Sequence, residues 1–432
     1  MERLMQFVWQ HRLGLRQGMT TVDGRRVCVV DPGLLNNDAG PDFFNATVEI
    51  GEETWVGNVE IHVRASDWFR HHHQDDPAYD SVILHVVQFD DAPVMRKDGS
   101  VIPQVVMRCT PEAAKRCNML LEHAARALPC QRVLKSLERI YVTDWLTALA
   151  AERLYRKSER VQAVVKATGG HWEGAAYITL ARALGFGLNG EPFEMLARSL
   201  PLAFLHKHHD DLLTTEALVF GQAGLIPEPA ADEEPYVTRL RTEYGFAAIK
   251  FGLKKPALSW KMARTRPQNF PHRRLALLAQ RIHAGFYLMG DLADAGSLDE
   301  MRRVLDVQLT GFWTNHFNFG SKGGCSPRAL SRGSVDSLLI NVALPLLHAR
   351  AVGRGDFDGM NRCLELLHDI PAENNSVVRL FGEAGVECGS AFASQALVEL
   401  RREYCEKKKC IFCRWGHRML SAEIQGGLSC KL

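Results

Sequence analysis

GPDFFNATVEIGEETWVGNVEIHVRASDWFRHHHQDDPAYDSVILHVV, residues 40–87, decides the fold. Apolar and polar positions alternate around Phe43, Ala46, Val48 and Ile50, and again around Val56, Val59, Ile61 and Val63. Successive side chains of a strand point to opposite faces, so this is the pattern of half-buried strands. Strands are expected over 42–50 and 54–63, joined by a short Gly-Glu-Glu turn. Asp42 opens the first, and Glu60 and His62 sit on the second. Two acids on neighbouring strands can face each other across one edge of a sheet. That is a divalent-metal geometry, and divalent metal is a tool of phosphodiester hydrolysis.

Upstream, residues 2–13 read as an amphipathic helix through Leu4, Met5, Val8, Trp9 and Leu13. Thr21–Asp31 reads as a hairpin around Asp23-Gly24, and Pro32–Pro41 as a loop. Downstream, Ser66 is placed to cap a short helix over Asp67–Phe69, and strands follow over Ser81–Gln88 and Val101–Met107. From about Thr110 the character changes. Helical periodicity over 111–128 and 136–166 continues through most of the remainder, broken by Gly and Pro, with no fixed repeat. The expected architecture is α+β, with an α/β domain at 1–110 and a larger, mostly helical domain at 111–432.

The order helix, three strands, short helix, strand, with Asp on the second strand and Glu-x-basic on the third, is similar to the core of the PD-(D/E)XK nuclease superfamily, a restriction-endonuclease-like fold. That resemblance implies roles residue by residue. Asp42 and Glu60 would ligate Mg2+ or Mn2+, Ile61 would offer its carbonyl, and His62 would stand where a water-orienting lysine is usual. Glu2 is the acid available on the first helix. The histidine is a departure, because lysine brings a fixed positive charge. Over nearly its whole length the chain also resembles a bacterial family, domain of unknown function 2851. The resemblance is carried by GPDFFNA, GNVEIHVRASDW, AYDSVILHVV, FGQAGL, RTRPQNFPHRRLA and YCEKKKCIFC. It implies a common fold and brings no activity with it.

Each candidate has a plainer reading. Asp42 after a proline suits a turn, Glu60 can pair with Arg64, and His62 can be a hydrogen-bonded structural histidine. His71, His72, His73 and His85, with Asp75 or Asp76, suggest a zinc or manganese site, although consecutive histidines in a polar loop are usually solvated. Cys405-x4-Cys410-x2-Cys413-x3-His417 has the spacing of a zinc or iron–sulfur site, its fourth ligand being His417 or the distant Cys130. Cys130 with the three later cysteines looks like the iron–sulfur clip of some PD-(D/E)XK nucleases. Cys28, Cys109, Cys117, Cys325, Cys363, Cys388 and Cys430 read as small core or surface residues. Lys261, Arg264, Arg266, Arg273 and Arg274, interleaved with Trp260 and Phe270, suit DNA or RNA phosphates, or a solvated helix face. GFWTNHFNFG, residues 311–320, reads as packing.

A net charge of +2 over 432 residues requires any nucleic-acid surface to be local. The opening residues lack a signal-peptide pattern, and no apolar run is expected to span a membrane, so the protein is expected to be soluble and cytoplasmic, its cysteines reduced or metal-bound. No phosphate-binding Gly-Lys-Ser/Thr motif, dinucleotide fingerprint or nucleophile elbow occurs. The leading expectation is a metal-dependent nuclease. The alternatives are a non-catalytic nucleic-acid-binding protein on the same fold and a protein-interaction scaffold with a structural metal.

Overall fold

A computed structural model describes residues 1–10, 12, 19–36, 40–108, 128, 130–135, 137–262, 265–322 and 328–418. The helix expected over 111–128, apart from Leu128, falls outside them, as do Leu13, Arg264, Cys109, Cys117, Cys325 and Cys430. The fold is α+β, a mixed sheet at the N-terminal end followed by a mostly helical region.

The chain forms two compact units. The first comprises Met1–Trp145, Arg379–Glu387 and the chain from Leu400 on. It opens with helix α1 (Glu2–Gln10), then strands β1 (Met19–Thr20), β2 (Arg26–Asp31), β3 (Leu34–Leu35), β4 (Phe43–Ile50) and β5 (Glu53–Arg64). Helix α2 (Asp67–Arg70) leads to β6 (Val82–Phe89) and β7 (Gln104–Val106). The expected order of helix, three strands, short helix and strand is therefore present. β3 is an addition inside the expected loop, where Leu34 and Leu35 pair with Phe44 and Phe43. Ser66 does not cap α2 with its side chain. Its hydroxyl and amide donate to Asp91 instead, at 2.8 and 2.9 Å.

The strands form one sheet in the order β1-β2-β4-β5-β6-β7, with β3 on β4. Pairings up to β4–β5 are antiparallel, and β5–β6 and β6–β7 are parallel. The sheet curls until its edges meet. Thr21 bridges Val105, and the Val22 amide donates to the Gln104 carbonyl at 2.8 Å, giving a nearly closed barrel.

Leu4, Met5, Phe7, Val8 and Trp9 of α1 are buried with Val27, Val48, Val59, Ile61 and Val86 of the sheet. Each such side chain contributes about 1.5–3 kcal/mol, an upper bound set by the unfolded reference. Ile411 joins this core, so the C-terminal segment packs on the N-terminal sheet. A second cluster, with Trp68, Tyr79, Val82 and Val87, covers the other face.

The second unit, Leu146–Val378 with Cys388–Glu399, is helical. Pro201, which has no amide proton to donate, separates helices Gly190–Ser199 and Leu202–Leu205, and Gly285, at a φ of 86°, lies between helices Pro271–His283 and Leu288–Asp294. Phe220, Trp313, Phe319 and Tyr236 stack together, so the 311–320 segment is packing, as its composition suggested. Contrary to the sequence expectation, one helix among the described residues, Arg332–Arg354, is long and apolar enough to cross a membrane; 72% of its apolar window is buried inside the protein.

Gly57 lies on β5, paired with Ala46 of β4 and pressed against β6. A Cβ there would lie 2.4 Å from Ile83 Cγ2 and 2.8 Å from the Ser81 carbonyl. Gly57→Ala is expected to cost about 1–3 kcal/mol in denaturant unfolding. Gly245→Ala, in a helix with no atom within 4 Å of the added carbon, is expected to gain about 0.5–1 kcal/mol.

Candidate metal centre

Register builds the site. β4 and β5 pair Phe43 with Val59, which sets Asp42 opposite Glu60. β5 and β6 pair Glu60 with His85, and β6 and β7 pair His85 with Gln104. Acid, acid, imidazole and amide thus form one row across four strands. His62, two residues beyond Glu60, shares its face. On a two-layer sheet this polar face would meet water. Here α2 and the 71–79 turns cover it, and Glu60, His62 and His85 are 5%, 1% and 0% exposed. Buried polar groups must be satisfied or they destabilise the fold.

The satisfaction is directional. Gln104 Nε2 donates to Asp90 Oδ1 at 3.0 Å and to the Ala92 carbonyl at 3.1 Å. Both partners only accept, which fixes the amide orientation and turns Gln104 Oε1 toward His85 Nδ1, 3.0 Å away. That oxygen requires His85 to carry its proton on Nδ1. Burial holds His85 neutral, its pKa lowered to about 4, so its Nε2 is a lone pair. This lone pair receives the proton of His62 Nδ1 at 2.9 Å. Burial, then the neighbouring imidazoles, pushes His62 down to about 2, so it too is neutral. Its Nε2 is left as a lone pair aimed at Glu60 Oε1, 3.3 Å away.

A lone pair facing a carboxylate oxygen is repulsive unless a proton or a cation lies between. His73 Nε2 comes to 3.4 Å of the same oxygen. The ligand atoms of His62, His71 and His73 all lie within 4.8 Å of one another. Donors bound to one zinc or manganese ion stand roughly 3–3.5 Å apart. Glu60 Oε1 stands at that spacing from both His62 Nε2 and His73 Nε2, and the ligand atoms of the two histidines lie within 4.8 Å of each other, with the exposed His71 beside them.

Asp42 braces this group. Its amide donates to Glu60 Oε2 at 3.0 Å, its Oδ2 accepts from the Ile61 amide at 3.0 Å, and its Oδ1 accepts from Gln6 of α1 at 2.8 Å. Burial, then the Glu60 charge, raises Asp42 to about 7; burial raises Glu60 to about 8. Glu2 is raised by burial and acts on both acids, which places it at the site.

Residues 2–376 match the family described as Protein of unknown function (DUF2851). The chain belongs to this family. No curated protein and no solved structure matches it. The span shared with the family contains the whole row and its histidines, and ends before Cys405.

Asp42, Glu60, His62 and Glu2, expected together, are together. The separate histidine site is the same site. His71 and His73 join it, and His85 stands behind His62. His72 points outward, 3.9 Å from the exposed Asp75, and Asp76 accepts from the Ala78 amide. Arg64 pairs with Asp91, not with Glu60. Gln6 and Gln104 were not foreseen; the signal of Gln104 lies in strand register, and that of Gln6 in the packing of α1 on the sheet.

In the second unit, Arg273 and Arg274 are buried rather than displayed. Arg273 donates to the Trp313 and His316 carbonyls at 2.9 and 3.1 Å, and Arg274 lies over Phe186. Trp260 donates to the Ala223 carbonyl and packs on Phe193, so it is not a free stacking platform. Lys261 and Arg266 are exposed. Arg266, Arg273 and Arg274 nevertheless line one cavity of about 510 Å³ with Arg328, and no carboxylate is among its described lining residues.

Gln104→Leu removes the group that sets both tautomers. It is expected to weaken Zn2+ or Mn2+ binding by about 10–100-fold in calorimetry. Because Asp42 and Glu60 are raised from 3.8 and 4.5, their stability contribution is complete below about pH 4 and is lost as pH rises through 7–8. A cation favours the ionised acids. Added Mn2+ is therefore expected to raise the melting temperature more at pH 8 than at pH 5.

Proposed function

We propose that this protein hydrolyses nucleic-acid phosphodiester bonds with a divalent cation held by Glu60, His62 and His73, with His71 and Asp42 beside it. The observation that carries the reading is the lone pair of His62 Nε2 fixed toward Glu60 Oε1 at the row where Asp42 faces Glu60. A cation there lowers the pKa of its bound water and polarises a phosphoryl oxygen. Imidazole donors favour Mn2+ or Zn2+ over Mg2+.

Likeness to the PD-(D/E)XK core supports the phosphodiester class. The strands β2, β4, β5 and β6 follow one another in the sheet, the step from β5 to β6 is parallel across α2, and the acids stand at the start of β4 and on β5. The near closure of the sheet is a departure. So is His62, which acts in this reading as a ligand rather than a proton acceptor. Arg70, the nearest arginine, is exposed and paired with Asp67 at 2.9 Å, so the lysine's fixed charge has no direct counterpart at His62 among the described residues. A polyanionic DNA or RNA substrate is supported separately by the arginine-lined cavity of the second unit.

One observation favours a non-catalytic centre on the same fold, serving nucleic-acid binding or a protein scaffold. The metal donors Glu60 and His62 are almost fully buried. Cleavage decides between the two. The protein would be incubated with single-stranded, duplex and branched DNA and with RNA in Mg2+, Mn2+ or Zn2+, beside Asp42→Asn, Glu60→Gln and His73→Ala. Cutting by the wild type, reduced at least about 100-fold in Glu60→Gln and His73→Ala, is the expected result. Metal uptake without cutting on any substrate would overturn the catalytic reading and leave the structural one.

A further inference from the structure

Four cysteines far apart in the chain line one cavity of the first unit, their sulfurs spread more widely than the ligand atoms of the histidine group. Cys405 ends a π-helical turn (Leu400–Cys405), Cys410 begins a 3-10 turn (Cys410–Phe412), and Cys413 follows it. Cys130 arrives from nearly three hundred residues upstream and packs with Cys410 against the α1–sheet core. Cys405 feels Cys413, Cys130 and Cys410, and Cys130 feels Cys413 and Cys410. All four line one small apolar cavity with Phe381, Tyr404 and Trp415. His417 faces elsewhere. Its ring meets Phe7 at 5.1 Å, and it lines a different pocket with Gln10 and Tyr141.

Two further observations point to a guest of negative total charge. The backbone amides of Gly416 and Trp415 donate toward Cys413. Gly416 is pressed so closely that an added Cβ would meet the Cys410 carbonyl, so the Cys410–Gly416 loop is wound tightly around its sulfurs. Arg401 also lines the cavity; its Nε pairs with Glu406 Oε1 at 3.3 Å, while its buried Nη1 has no hydrogen-bond partner among the described residues. A thiolate in the cavity would accept from that N–H far better than a neutral thiol. Four thiolates around Zn2+, or around a four-iron cluster, carry net negative charge.

We infer that Cys130, Cys405, Cys410 and Cys413 hold a thiolate-ligated metal centre, zinc or an iron–sulfur cluster, that fastens the returning C-terminal segment to the N-terminal sheet. Binding releases the thiol protons to solvent, and the metal–sulfur bonds replace hydrogen-bonded chain contacts as the clasp. The segment has its own anchor beside the clasp, since Ile411 is buried in the α1–sheet core.

The test is metal analysis of the full chain, purified without oxygen and reconstituted with Zn2+ or with iron and sulfide. The variants are Cys130→Ser and Cys410→Ser, with exposed Cys28→Ser as control. To separate this centre from the histidine site, all are repeated in a His73→Ala background. About one zinc without sulfide, or about four iron with equivalent acid-labile sulfide, retained in Cys28→Ser and lost in Cys130→Ser, is the expected result; the first assigns zinc and the second a cluster. If the serine variants do not fold, alkylation of the wild type decides. Four cysteines should be protected until a chelator removes the metal. Wild type free of both metals after reconstitution, metal unchanged in Cys130→Ser, or no chelator-dependent protection would each overturn the assignment.

Discussion

The hydrogen bond from His62 Nδ1 to His85 Nε2 is the contact on which the N-terminal unit turns. It is a bond between two neutral imidazoles with no choice of direction. Gln104 fixes His85, His85 fixes His62, and His62 must present a lone pair to a carboxylate. Either a proton on Glu60, whose carboxyl burial raises to about 8, or a cation must stand between that lone pair and the carboxylate oxygen. A row of apolar residues in the same place would give a more stable barrel. A polar row buried under α2 and the His73–Tyr79 turns costs stability, and the metal proposed for the site would offset that cost.

The fold supplies what the relay requires. A one-residue slip of β5 against β6 would turn Glu60 and His62 to the α1 face and put Ile61 in their place. The apolar set Val59, Ile61, Leu84 and Val86 holds the register by being buried on the opposite face. Gln104 serves twice, since its carbonyl closes the sheet on Val22 while its side chain directs His85. Closure and site are thereby coupled. Strand β7 spans only Gln104–Val106, and the amide stands at its start.

Much of this was legible in the sequence. Alternation located β4 and β5, and the Pro41-Asp42 and Glu60-x-His62 spacing picked out the acids and the imidazole before any geometry was available. The short helix at Asp67 and the strand beginning near Val82 were also legible. What the sequence could not give is pairing. His71 and His73 read either as a separate zinc or manganese site or as solvated, because three adjacent histidines in a polar loop carry no periodicity; Tyr79, stacked on His73 at 3.8 Å, holds that ring over the site. Gln104 looked like an ordinary strand residue, because its role depends on being two strands from Glu60. Arg273 and Arg274 were read as surface charge, yet both are buried, where carbonyls and an aromatic face receive them. The return of the segment near Ile411 to the first core is likewise invisible to local pattern, since nothing in Cys-Ile-Phe-Cys says which core takes the isoleucine.

The most direct test of the account is the nitrogen-15 spectrum of the histidine side chains, assigned for His62 and His85 and recorded at pH 7 with and without Zn2+. The expected result is that both rings are neutral with the proton on Nδ1, and that on adding Zn2+ the His62 Nε2 resonance moves to the metal-bound range while its Nδ1 proton remains. A His62 ring carrying its proton on Nε2, or an Nε2 resonance indifferent to Zn2+, would contradict it.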